Sequence, residues 1–537
     1  MRREQVFWGW GEPGAGPELP AHAGELLREA LGVSGEVVDR PVALADVRLR
    51  EPALDGALRG RLRDVVGEDG VRVDREARVL RCRGKSYLDL LAQRAGEGET
   101  APDAVVAPRT HAEVLAVLEA CAAAGVAVVP FGGGTSVVGG LEPARGSVSA
   151  HVSLDLARMD AVVAVDRVSG LAVLEPGLRL PEADRALAAY GLTLAHVPQS
   201  YEWATVGGCV ATRSAGQSST GHGRIDANLV GARCATPAGT VAPHALPGTA
   251  AGPDLRQLLA GSEGALGVLT EVTLRVHPRP EATRHEGWFA PSFAAGVDAL
   301  RALVRAGAAP DIARLSDEDE TRTSLALAGG LGLAARGFLR ARVGAGAPGC
   351  LLVLGWEGSR ASIARRRGAA APLLRRAGLV AAGTRPGRGW AAARFAGPHL
   401  RDDLLDRGVL TETLETAATW SALHGVREAV AAALRGALAT PLVGCHVSHL
   451  YATGASLYFT VLAPRADDGR EQWRRAKAAA MAAIVAAGGT ITHHHAVGRD
   501  HAPWLEAEDG ALGVELLRAA KRVADPAGIM NPGALLT

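Results

Sequence analysis

His493, His494 and His495 stand side by side, followed by Ala496-Val497-Gly498. Imidazole, with its near-neutral pKa, is the natural general base for removing a proton beside a carbonyl or ester. Three adjacent side chains cannot share one face of a strand, so at most two converge on one point while the third turns away. The run makes a poor zinc site, because structural zinc needs a full set of well-spaced ligands and no Cys/His partners are spaced to complete one. No metal is expected. Upstream, Tyr458 sits in the alternating stretch Ser456-Leu457-Tyr458-Phe459-Thr460-Val461. Its phenol suits donation to a carbonyl or carboxylate oxygen, and the same pattern also fits a cross-strand core aromatic. Arg401, in Leu400-Arg401-Asp402-Asp403, reads either as a helix-surface arginine or as a bidentate clamp for phosphate or carboxylate. Arg314, in Ile312-Ala313-Arg314-Leu315-Ser316-Asp317, offers the same chemistry or a tie between domains.

The elements that must position these groups begin with glycine loops. Phe131-Gly132-Gly133-Gly134-Thr135-Ser136-Val137 follows the apolar stretch Val126 to Val129. Consecutive glycines after a strand let backbone N–H groups approach an anion closely, and phosphate or pyrophosphate is the usual occupant. A second loop runs Gln199-Ser200-Tyr201-Glu202-Trp203-Ala204-Thr205 and continues to Thr212-Arg213-Ser214-Ala215. A third, Gly261-Ser262-Glu263-Gly264-Ala265-Leu266-Gly267, leads straight into the β-branched run Val268 to Leu274. Each of the three is attached to a β-branched run, and all fall within about one domain length.

In that order the three loops resemble the flavin-binding half of the vanillyl-alcohol-oxidase superfamily. The resemblance implies an α+β fold: a two-part FAD-binding domain of the vanillyl-alcohol-oxidase (PCMH) type, an α+β cap or substrate domain, and a C-terminal segment returning to the FAD domain. With Arg401-Asp402, the Glu412 to Trp420 stretch, the strand holding Tyr458, the triple histidine and Trp8-Gly9-Trp10-Gly11, the chain resembles the alkyldihydroxyacetonephosphate synthase family. Carried over by position, Arg401, Tyr458, His493, His494 and His495 fall on that family's active-site positions, and the three loops fall on its FAD contacts. The implied reaction exchanges the acyl group of acyl-dihydroxyacetone phosphate for a fatty alcohol without net redox change. In it His494 or His495 removes a proton, Tyr458 assists the departing or entering oxygen, and Arg401 holds an anionic part of the substrate. Against animal members the chain has His446 for arginine and Ala496 for glycine and lacks a peroxisomal address, which implies a bacterial relative. The alternative on the same fold is a 2-hydroxy acid dehydrogenase or oxidase. Its Gly-Asp-Gly-Asn-x-His stretch corresponds to Thr453-Gly454-Ala455-Ser456-Leu457-Tyr458, and its later glutamate to His494. A flavin-binding protein without turnover has no need for this set of residues.

Composition and organisation agree with a large soluble enzyme. The 537 residues carry a net charge of +1, so no global field favours nucleic acid or an anionic membrane. The substrate is a small molecule or lipid; a lipid-handling enzyme is compatible with peripheral membrane contact and a homodimer, for which no motif is present. The cluster Arg365-Arg366-Arg367 with Arg375 and Arg376 reads as a solvated helix face. Cys82, Cys121, Cys209, Cys234, Cys350 and Cys445 have neither metal-like nor redox-pair spacing and read as reduced, buried thiols. With no signal core at Met1-Arg2-Arg3 and no long apolar span, a cytoplasmic location is expected. The expected division is a helical lead-in over 1–95, the FAD-binding domain over 96–280, the cap or substrate domain over 281–510, and a C-terminal segment over 511–537. Within these, His111 to Ala124, Phe293 to Arg305 and Ala422 to Leu434 have helical spacing. Val105-Val106, Val126 to Val129, Leu171 to Leu174 and Ser456 to Leu462 read as strands. The Gly/Ala/Arg bias of Gly329 to Arg388 implies neither repeat nor linker.

Overall fold

The β-branched runs on either side of the first glycine loop assemble into a small sheet. A computed structural model describes residues 3–16, 19–20, 23–144, 148, 150–327 and 349–536. Residues 329–348 of the Gly/Ala/Arg-biased stretch, together with Met1, Arg2 and Thr537, lie outside the described residues. In this sheet Ala104–Val106, His151–Asp155 and Ala127–Phe131 run parallel, in that spatial order. The chain leaves Ala127–Phe131 directly into Gly132-Gly133-Gly134, so the loop hangs from a fully anchored strand end. Helix His111–Ala124 makes the crossover, held at its start by the Thr110 side chain accepting from the Glu113 N–H.

A second, antiparallel sheet of five strands follows, in the order Gly239–Val241, Leu229–Thr236, Val268–Arg275, Leu171–Leu174 and Val162–Asp166. Its central strand, Val268–Arg275, starts at the end of the third glycine loop. The two small sheets thus deliver both loop ends to one region.

The third sheet carries Arg314, Glu415, His446 and Tyr458. Seven antiparallel strands lie in the order Val380–Gly383, Ala282–Ala290, Cys350–Gly358, Ile312–Ser316, Leu442–Leu450, Gly454–Pro464 and Val409–Thr419. Period-two alternation divides it into two unlike faces. Ala313, Leu315, Cys445, Val447, Leu457, Phe459 and Leu414 join the main apolar core with residues of helices Phe293–Arg305, Arg360–Arg376, Leu423–Ala437 and Gly469–Ala486. The intervening residues Arg314, His446, Tyr458, Thr413 and Glu415 are therefore on the opposite face.

The C-terminal segment returns to the first sheet as expected. Met530 bridges Val128 in parallel, the Asn531 N–H donates to the Val128 carbonyl at 2.9 Å, and the Asn531 side chain donates to Gly140 and Glu263 carbonyls. The first 95 residues form helices Ala23–Leu31, Gly56–Val66, Arg75–Leu80 and Tyr87–Arg94, but they also supply Val71–Arg72 to the edge of the first sheet. Strands of two residues leave no periodicity to read, which is why a purely helical lead-in was expected.

The arginine cluster divides: Arg365, Arg375 and Arg376 are exposed, as expected of a solvated helix face, and Arg366 and Arg367 are not. Arg366 forms paired bonds to Asp311 at 2.8 and 2.9 Å and Arg367 reaches Glu286 at 2.6 Å, so both tie helix to sheet rather than face solvent. All six cysteines are buried and unpaired. Among the described residues no helix is long and apolar enough to cross a membrane.

Candidate active site

Glu415, Tyr458 and His446 are direct register partners across three neighbouring strands, so one row of the sheet's polar face presents a carboxylate, a phenol and an imidazole. His446 stacks on Tyr458 with ring centroids 5.0 Å apart, and Tyr458 in turn lies 6.0 Å from His494. The row continues to Arg314, whose guanidinium meets His446 Nε2 at 3.1 Å and Glu320 at 2.8 Å; Glu320 also accepts from His446 Nδ1 at 2.9 Å. The Glu320 carboxyl is pulled down to about 2: burial acts to raise it, and His446 and Arg314 outweigh that.

The triple histidine is not on a strand. Residues 492–495 form an irregular turn wrapped around the buried Glu415 carboxylate. One oxygen, Oε1, accepts from Thr492 Oγ1 at 2.6 Å, the His494 N–H at 3.1 Å and the His495 N–H at 2.9 Å. The other, Oε2, accepts from the His493 N–H at 2.7 Å and lies 3.3 Å from His494 Nδ1. In this turn it is neighbours that share a direction, where strand alternation would pair His493 with His495. His494 and His495 line a cavity of about 460 Å³; His493 turns away to Tyr451, whose hydroxyl is 2.5 Å from His493 Nε2.

That cavity also reaches the glycine loops. Phe131 through Val137, Gln199, Ser200, Ala204, Thr205, Thr212, Ser214, Ala215, Ser262, Glu263, Gly264 and Gly267 line it, with Arg401, Arg314 and Tyr458 at the other end. The loops fit a dinucleotide. A Cβ on Gly133 would stand 2.2 Å from the Trp203 carbonyl oxygen, and one on Gly132 would stand 2.4 Å from Thr205 Oγ1, so the first loop's glycine backbone packs directly on the second loop's backbone and the Thr205 hydroxyl. No backbone N–H from Gly133 through Ser136 donates to an acceptor among the described residues, which leaves a row of donors for a pyrophosphate.

Several predicted loop residues do not line the cavity. Tyr201 donates to Asp184 at 2.8 Å and stacks on Phe395; Glu202 is exposed; Trp203 is buried beneath the Arg3 and Arg179 guanidinium groups. Arg213 bonds the carbonyls of Ala260 and Gln257 and packs against Gly261, while Ala265 and Leu266 are core residues. Motif position alone could not separate these supports from the lining. Glu263 has a second use besides: it accepts from the Val497 and Gly498 N–H groups, both at 2.8 Å, tying the third loop to the histidine turn. Arg401 lines the cavity and donates to the Lys85 carbonyl at 2.7 Å.

Sequence spacing gave no site role to Glu320, Glu415, His449 or Tyr451, and marked His446 only as a departure from the family's arginine. For Glu415, His446 and His449 the visible signal is polar identity at buried strand positions; Glu320 lies in helix Glu318–Leu327 and Tyr451 just past a strand end. His449 joins His493 and His494, each offering a ring nitrogen within 4.8 Å of the others, and among the described residues this trio is the group that could hold a cation. The His493 and His494 Nδ1 atoms lie 2.9 Å apart, a contact one shared proton satisfies.

Burial dominates the electrostatics. It drives His493 and His495 to about 3 and His501 to about 4, with like-charged neighbours adding to the fall. These folded values lie below the unfolded value of about 6.5, so the unfolded chain binds more protons in acid. Stability from these neutral histidines is complete above that value and is lost as pH falls toward their folded values. Asp89 and Glu263, raised by burial to about 6 and about 7, act in the opposite sense and are outnumbered. The melting temperature is therefore expected to fall as pH drops from near 7 to near 4, and His495→Asn is expected to flatten that fall. A melting temperature constant over this range would refute the assignment.

Residues 102–243 match the family described as FAD binding domain, and residues 279–535 match FAD linked oxidases, C-terminal domain. The chain is 33% identical to an alkyldihydroxyacetonephosphate synthase of Trypanosoma brucei brucei, over 99% of this chain and 92% of that one. A solved alkyldihydroxyacetonephosphate synthase superimposes with a TM-score of 0.84 at 27% identity, covering 98% of each chain. The p-cresol methylhydroxylase structure gives 0.68 at 16% identity, over 90% of this chain and 98% of that one, a likeness of fold. The α+β architecture of the vanillyl-alcohol-oxidase type, expected from the glycine loops, is the one observed.

Proposed function

The chain belongs to the alkyldihydroxyacetonephosphate synthase family, and from that premise we propose that it exchanges the acyl group of acyl-dihydroxyacetone phosphate for a fatty alcohol, with FAD bound and no net redox change. The observation that carries this reading is the single cavity joining the glycine loops to Tyr458, His494, His495 and Arg401. FAD would be held by the three glycine loops and would supply the electrophilic ring the exchange needs. The rest is the work of the chain. His494 takes the proton from the carbon bearing the ester oxygen, and neutral His495 lies beside it in the cavity wall. Tyr458, held between two imidazoles, donates to the departing carboxylate or the entering alkoxide. Arg401 clamps an anionic part of the substrate in a geometry a planar guanidinium suits. The 96–280 region holds the cofactor and the 281–510 region the substrate.

The 2-hydroxy acid reading lacks its acidic and amide positions around Tyr458 and its glutamate at His494. The visible spectrum of the purified yellow protein, taken anaerobically, separates the two. Palmitoyl-dihydroxyacetone phosphate is expected to bleach the flavin, and a fatty alcohol to restore it with alkyl ether formed. Bleaching by D-lactate or glycolate instead, with a keto acid formed, would make the protein a dehydrogenase and end the transferase reading.

A further inference from the structure

In the proposed exchange the reacting carbon gives up a proton and regains one, and His494, which holds it in between, sits in the wall of the cavity. His493 is the histidine that does not line the cavity, yet both of its ring nitrogens are engaged. Its Nδ1 meets His494 Nδ1 at 2.9 Å and its Nε2 meets the Tyr451 hydroxyl at 2.5 Å. Tyr451 in turn lines a second, open groove with Thr453, Thr490 and Glu508, and no residue lines both this groove and the cavity. The three side chains therefore form a hydrogen-bonded line from the cavity wall to a residue that borders the open groove.

We propose that His494, His493 and Tyr451 form a proton wire that carries the substrate-derived proton from the cavity to solvent at the Tyr451 groove. This rests on the transferase reading and deepens it. The balance is as follows. The C–H bond breaks with its electron pair left on carbon, and the proton joins His494 Nε2. The proton on His494 Nδ1 passes to His493 Nδ1, and the proton on His493 Nε2 passes to the Tyr451 oxygen. The Tyr451 hydroxyl proton goes to water. Each imidazole receives at one nitrogen and releases at the other, so neither has to rotate out of its packed position during the transfer. When the carbon regains its proton from His494 Nε2, a proton from water runs back through Tyr451 and His493 to His494 Nδ1, which restores both the C–H bond and the starting tautomers. His493 acts through His494 and Tyr451 acts through His493, so neither touches substrate.

The test uses the FAD-loaded enzyme, acyl-dihydroxyacetone phosphate and Tyr451→Phe, which keeps the ring and removes one oxygen. Tyr451→Phe is expected to have a several-fold lower kcat and an unchanged KM. Equal kcat in the two enzymes would overturn the wire. A second readout needs no substrate. The resting wild-type protein is expected to show a downfield imidazole N–H resonance that disappears in Tyr451→Phe, and its absence from wild type would also overturn the wire. If acyl ester fails to bleach wild-type flavin, the transferase reading falls, and this resonance still judges the hydrogen-bonded line.

Discussion

Replacing His494 with alanine is expected to abolish bleaching by acyl-dihydroxyacetone phosphate and to lower turnover by roughly 10²–10⁴-fold, the range for loss of a positioned general base. FAD is expected to remain bound, because the glycine loops that fit it are formed without this side chain. The reason for choosing His494 over its neighbour is its tautomer. Its Nδ1 lies 2.9 Å from His493 Nδ1 and 3.3 Å from Glu415 Oε2, so that nitrogen carries the proton and Nε2 keeps the basic lone pair. His495 lacks that arrangement, since its Nδ1 is 4.0 Å from Glu415 Oε1. Stopped-flow absorbance of the bound flavin decides between them. If His495→Ala abolishes bleaching and His494→Ala does not, the tautomer argument is wrong and His495 is the base. Unchanged turnover in both variants would reject histidine chemistry altogether.

What was legible in the chain divides by the range of the interactions involved. The glycine loops, helix His111–Ala124 and helix Phe293–Arg305 are written in local spacing and match the structure residue for residue or nearly so. That His493 is the histidine turned away comes from the turn around Glu415, not from the strand alternation read in the sequence. The partners of those histidines are a different matter. Glu415 sits in a strand far earlier in the chain and Tyr451 just past the end of another, Leu442–Leu450, and only the pairing of three antiparallel strands brings both to the histidine turn. Period two shows that Glu415 and Leu414 face opposite ways; it cannot show which strand lies alongside. The same limit explains Tyr201 and Arg213, where the motif marks a loop near the cofactor without telling which of its side chains hold the loop in shape.

Glu415 is where that long-range register is expected to have its largest measurable effect. In Glu415→Ala, three buried backbone N–H groups and the Thr492 hydroxyl lose their acceptor. An unsatisfied buried donor costs about 1–3 kcal/mol, but these share one turn and will not add independently. A net loss of roughly 3–5 kcal/mol, the scale for breaking one partner out of a buried charged network, is expected in chemical denaturation. Glu415→Gln separates position from charge. Its amide oxygen can replace Oε1 and keep Thr492, His494 and His495 in place, at a cost of about 1–3 kcal/mol for the opposed His493 N–H. The amide NH2 then stands where Oε2 was, beside His494 Nδ1, and a donor there favours the tautomer with the proton on Nε2. The lone pair that should face the substrate is lost while the fold survives. Glu415→Gln is therefore expected to be folded, yellow and about as slow as His494→Ala. A Glu415→Gln enzyme with wild-type kcat would show that the carboxylate merely supports the turn and does not set which nitrogen of His494 is basic.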